Sequence, residues 1–174
     1  MRKPSEKVAD RLGLACSVAG PVLLLTLYFT APLDFFGPEH PAVGWVAFGA
    51  GLAVLAGLLL REVRRELLGL PGRPTLMIVL LSCLTLVVFA STYYGLAKAS
   101  GQFSGLQTRV DALYFTVITM STVGYGDISP TGQEARMVVM LQILYTLVFL
   151  TAGATSITRR MRGRFVERNT ERKR

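Results

Sequence analysis

Asp111-Ala-Leu-Tyr-Phe-Thr-Val-Ile-Thr-Met-Ser-Thr-Val-Gly-Tyr-Gly-Asp127 is the stretch on which the fold turns. Its interior, 112–126, runs for 15 residues without a charge. A helix rises ~1.5 Å per residue, so crossing a hydrocarbon core of ~30 Å takes about 17 to 20 residues, and this stretch is too short. It also ends in Gly124-Tyr125-Gly126, where glycine reaches positive φ without steric cost. The pattern predicts a short helix over 111–121 that enters the membrane and a loop that returns to the same side. Exposed backbone is tolerated at that depth only where it lines a wet cavity.

Outward from this insert lie four longer uncharged runs, 12–33, 41–60, 75–97 and 137–158, of 22, 20, 23 and 22 residues. Each is long enough to cross. Charged residues make up 17% of the 174, against ~25% in a soluble domain, and mean hydropathy is +0.45. These values exclude a soluble nucleotide or metal domain of any size. The chain reads as an all-α membrane protein of four transmembrane helices with a re-entrant helix and loop between the third and fourth. The first run exceeds the ~7 to 15 residues of a signal-peptide core and continues into Pro32 and Asp34, so it is expected to be retained. Cys16 and Cys83 both lie inside apolar runs and read as structural thiols.

A net charge of +8 raises nucleic acid as a partner until the positions are read. Of 19 basic residues, 16 fall in the N-terminal segment, the link after the second run, or beyond Ile157. Basic loops stay cytoplasmic, so the reading is a multi-pass protein of the cell membrane with both termini cytoplasmic and no nucleic-acid partner. The insert then faces out. Pro71, Gly72 and Pro74 stop the helical pattern and mark a boundary. The expected units are 1–70, a two-helix N-terminal unit; 71–158, a unit holding the insert; and 159–174, a basic tail with no room for a ligand-binding domain.

Thr122-Val123-Gly124-Tyr125-Gly126, followed by Asp127 and flanked by a short helix and two spans, resembles the selectivity filter of the potassium channel family. The resemblance covers roughly Thr75 to Thr158 and implies an outer helix, a pore helix, a filter and an inner helix. It implies K+ as the transported ion, bound by carbonyl oxygens of Thr122, Val123, Gly124 and Tyr125 that replace its water. Thr122 adds a hydroxyl at the inner end, and Tyr125 is expected to brace the strand against the preceding helix. Tyr114 and Phe115 lie where the family often has an aromatic pair supporting the filter, with Asp127 beside them. One chain supplies one loop and a ring needs four, so a homotetramer follows.

Departures from the family pattern have consequences. Ile118 stands where some relatives have a glutamate that pairs with the aspartate after the filter, so Asp127 must find another partner or stay solvated. Thr146 occupies the place of an inner-helix glycine, and Gly153 comes seven residues later. Ala152-Gly153-Ala154 reads either as a displaced hinge or as close helix packing. The gate candidates are Thr146, Leu150, Gly153, Ala154 and Thr158. Arg159, Arg160, Arg162 and Arg164 follow as a cluster that binds anionic lipid headgroups or only anchors topology. The first two runs contain no arginine, so no charged voltage sensor is expected. Gly49, Ala53 and Gly57 recur every four residues and are expected to seat the second span against a neighbour. His40 reads as an exposed residue rather than a proton sensor.

Competing readings are a weakly selective cation channel, opposed by the intact filter motif, and a non-conducting accessory subunit. A membrane enzyme lacks any Ser-His-Asp set, metal-ligand spacing or paired intramembrane carboxylates to support it.

Overall fold

A computed structural model describes residues 19–33, 41–68 and 74–151. Among these it has helices α1 (Ala19–Thr30), α2 (Pro41–Leu67), α3 (Pro74–Ala97), α4 (Arg109–Met120) and α5 (Gln133–Thr151). Strands β1 (Phe103–Ser104) and β2 (Ser129–Pro130) pair antiparallel, with Phe103 opposite Pro130 and Ser104 opposite Ser129. This two-residue ribbon is the one departure from an all-helical reading among the described residues.

Among the described residues three helices are long and apolar enough to cross a membrane: Pro41–Arg65, Leu76–Ala97 and Gln133–Thr151. The expected first span is described only from Ala19 onward, as the shorter apolar helix α1, and its residues 12–18, with Cys16, lie outside the described residues. Helix α2 continues seven residues past Leu60, because Arg61-Glu62-Val63-Arg64-Arg65-Glu66-Leu67 is rich in good helix formers and no proline intervenes. Helix α5 begins at Gln133, four residues before the uncharged run.

Helix α3 is apolar on all sides, as befits a helix surrounded by others. Gly20 of α1 meets Leu80, Gly51 of α2 meets Val88, and the Phe89 ring lies 5.7 Å from Phe48 of α2 and 6.3 Å from Tyr145 of α5. Leu55, Phe89, Tyr93 and Val138 are fully buried at the centre of this core. Among the described residues of the single chain, the small-residue stripe of Gly49, Ala53 and Gly57 on α2 meets no other helix. A Cβ on Gly49 or Gly57 would meet nothing within 4 Å, and Gly51, on another face, makes the close approach instead. Cys83 is a free thiol and only half-buried.

Candidate functional site

Helix α4 starts two residues before the expected Asp111. Thr108 caps it: its hydroxyl accepts from the Asp111 N–H at 3.1 Å, and Asp111 Oδ2 accepts from the Thr108 N–H at 2.7 Å and the Gln107 N–H at 3.0 Å. This is a capping box, readable in Thr108-x-x-Asp111 but passed over when the helix was placed by charge alone. The backbone N–H groups of Thr108 and Gln107 hold the Asp111 carboxyl below the usual carboxylate range.

At its other end α4 closes in a Schellman turn. Ser121 is the cap, the Val123 N–H returns to Ile118 O at 2.9 Å, and the Thr122 N–H to Thr119 O at 3.1 Å. That motif demands a left-handed residue after the cap, and Thr122 takes it, with φ 59. A β-branched residue there is strained, since glycine or asparagine is the ordinary occupant. Gly124 at φ 54 and Gly126 at φ 82 then repeat the left-handed conformation at alternate positions. The segment from Thr122 to Gly126 is exposed along its length.

Tyr125 was expected to brace this strand against its own preceding helix. Within the single chain its side chain is 72% exposed, although the backbone beside it is tied to α4 through the Val123 N–H and Ile118 O. Tyr114 does meet the loop. Its hydroxyl donates to Asp127 Oδ2 at 2.9 Å, which supplies the partner that Ile118 does not. Phe115, one residue on, turns to the interior, with its ring 5.1 Å from Tyr93 and 5.5 Å from Phe103.

Three groups that the sequence reading missed hold this segment. Tyr93 on α3 donates to Gln142 Oε1 on α5 at 2.5 Å, and Gln142 Nε2 donates to Thr116 O on α4 at 3.0 Å, all of them buried. At the outer exit, Gln102 O accepts from Thr131 N and Gly132 N, while its side chain accepts from Ala135 N in the first turn of α5. Gly105, at φ 84, lets Asp127 O come so near that a Cβ would lie 2.7 Å from it.

Of the gate candidates, Thr146 is buried with its hydroxyl unpaired, and Leu150 is exposed. Gly153, Ala154 and Thr158, the arginines at 159, 160, 162 and 164, and His40 lie outside the described residues.

Residues 76–163 match the family described as ion channel. The chain is 29% identical over 147 residues to the voltage-gated potassium channel Kch of Escherichia coli (strain K12), covering 84% of this chain and 33% of that protein. It is 31% identical over 87 residues to the hyperpolarization-activated voltage-gated potassium channel of Methanocaldococcus jannaschii, covering 50% of this chain and 40% of that one. With two-pore potassium channel 4 of Arabidopsis thaliana it shares 40% over 76 residues, 42% of this chain and 25% of the relative. The chain belongs to this family of ion channels. This channel chain spans a quarter to two fifths of the length of those three relatives. No solved structure matches it.

The matched region begins within α3 and holds the whole of α4 and α5.

Proposed function

We propose that four copies of this chain assemble around Thr122–Gly126 as a homotetrameric pore that conducts K+ passively across the cell membrane. The observation that carries this reading is the exposed five-residue segment issuing from the Schellman turn, with left-handed backbone at Thr122, Gly124 and Gly126. Alternating backbone hands turn successive carbonyls toward one side, and four such rows replace the water of a K+ ion. The C-terminus of α4, carrying about half a negative charge, stands at the foot of the row and favours a cation there. Assembly also gives Tyr125 a neighbour to pack on. Met137, Met140, Leu144, Leu147 and Val148 on α5 are exposed in the single chain and supply apolar surface for the contact.

The termini are cytoplasmic in this reading, and the units are 1–70, 71–158 and 159–174. Neither 12–33 nor 41–60 contains an arginine or lysine, so voltage has no charged lever in these spans. The gate lies on the inner helix between Thr146 and Thr158. The arginines from 159 to 164 draw it open through anionic headgroups, at ~1 kcal/mol per charge.

Purified protein in liposomes tests this. K+-driven flux without Na+ flux, from a particle of four 19.0 kDa chains, is the expected result. A monomer with full flux, or equal K+ and Na+ flux, overturns it. For the gate, changing Arg159, Arg160, Arg162 and Arg164 to Gln lowers open probability in anionic bilayers and leaves selectivity intact. Steep activation by voltage sinks that part alone.

A further inference from the structure

We propose that Arg109 is a positioning residue through which α1 seats the pore helix α4, so that the hold of α1 sets how firmly the filter keeps its conducting shape. The filter clause rests on the pore reading above; the seating of α4 does not.

The contact is reciprocal. Arg109 Nη1 donates to Phe29 O at 2.7 Å and to Tyr28 O at 3.2 Å, and the Tyr28 hydroxyl donates back to Arg109 O at 2.7 Å. The two residues are 81 positions apart, and Tyr28 is 1% exposed. Tyr28 and Phe29 sit in the last turn of α1, where helix carbonyls have no partner further along the helix. A guanidinium there satisfies two of them and lies at the negative end of the helix dipole. The same guanidinium lies 5.5 Å from the centre of the Tyr94 ring on α3. A second contact supports the first: Leu113, one turn along α4, packs against the buried cluster of Tyr28, Leu33 and Ala90.

Arg109 is the first residue of α4, and the capping box at Thr108 and Asp111 fixes the turn it belongs to. A displacement of Arg109 therefore moves the helix as a body. The helix has only 12 residues and its Schellman turn leads straight into Thr122, so a tilt at the outer end reaches the filter without a flexible link between. Tyr114, on the same short helix, holds Asp127 at the outer side of the filter.

The test uses the full chain. In planar bilayers, Arg109→Gln is expected to keep its K+ selectivity in high K+, but to lose current on lowering external K+ about ten-fold faster than wild type, the factor for one charge-assisted hydrogen bond. Arg109→Lys, which retains a cationic donor, recovers most of the difference. Tyr28→Phe moves the same way by less. Amide exchange over 109–112 in the solubilised protein, which needs no conduction, is expected to quicken in Arg109→Gln. If that variant does not assemble, Tyr28→Phe decides, since it removes one hydroxyl. A conducting wild type whose variants match it in current loss and exchange overturns the seating of α4 by α1. A wild type that conducts no K+, with exchange over 109–112 still quickened by Arg109→Gln, overturns the pore reading and the filter clause and supports the seating.

Discussion

The Tyr93 hydroxyl, on α3, donates to Gln142 Oε1 on α5 at 2.5 Å, and the same glutamine passes a hydrogen bond to Thr116 O on α4. One amide thus ties together α3, α4 and α5, and all three groups are fully buried. Tyr93→Phe keeps the ring contacts to Phe89, Phe103 and Phe115 and removes only the donor. An unmet buried acceptor costs ~1 to 3 kcal/mol, while interhelical hydrogen bonds in membranes average ~0.6, so about 1 kcal/mol per subunit is expected. Gln142→Ala leaves a cavity as well and should cost about 2 to 4 kcal/mol. Thermal midpoints in detergent read both; no change in either would mean that the tie is not stabilising.

Tyr114→Phe removes the donor to Asp127 without changing shape. Tyr114 and Asp127 are both exposed in the single chain, so solvent screens this bond and its loss is read in the current and not in stability. Current loss in low external K+ should quicken in the variant. Behaviour identical to wild type would show that Asp127 holds the exit through other partners.

Gly101 and Gly105 separate backbone strain from collision. Both lie at positive φ, 80 and 84, but a Cβ on Gly101 meets nothing within 4 Å, while on Gly105 it meets Asp127 O at 2.7 Å. Gly101→Ala is expected to cost about 1 kcal/mol, the left-handed strain alone. Gly105→Ala must also push the filter exit away, so its thermal midpoint should fall further and its K+ over Na+ preference should drop. Equal effects in the two variants would count against a close seat for Asp127 on the 101–105 loop.

What was readable in the sequence is local. The length of the run 112–126 and the spacing of Gly124 and Gly126 report on a few consecutive residues, and the short helix and left-handed loop follow from them. Thr122 at φ 59 was not foreseen, because residue type argues for glycine there; the Schellman turn overrides that preference. The ties between Tyr93 and Gln142, 49 residues apart, and between Tyr28 and Arg109, 81 apart, are set by packing of whole helices. No periodicity in the sequence marks which polar residue of an apolar run will face another. Arg109 is one of the three basic residues outside the clustered sixteen, and nothing in that count marks it as the cap of another helix that its place at the start of α4 makes it.

The cap of α4 carries a pH dependence whose sign can be worked out. The Asp111 carboxyl is held below its ordinary value by the N–H groups of Thr108 and Gln107, so the folded state binds its proton less readily than the unfolded chain. Its stabilising contribution is therefore fully present above the ordinary aspartate value of about 4 and is lost as pH falls through the lowered folded value. Protonation weakens the two acceptor bonds and removes a negative charge from the positive end of α4. Amide exchange at residues 107–111, followed from pH 6 down to pH 2 with correction for intrinsic rates, should stay constant to about pH 4 and then quicken. Asp111→Asn keeps an acceptor oxygen but does not titrate, so its acid-dependent quickening should vanish while its exchange at pH 6 is already faster than wild type. Thr108→Ala, which removes the other half of the box, should cost about 1 kcal/mol and leave the acid step in place, smaller in size. An acid step of undiminished size in Asp111→Asn would assign the titration to a different carboxylate.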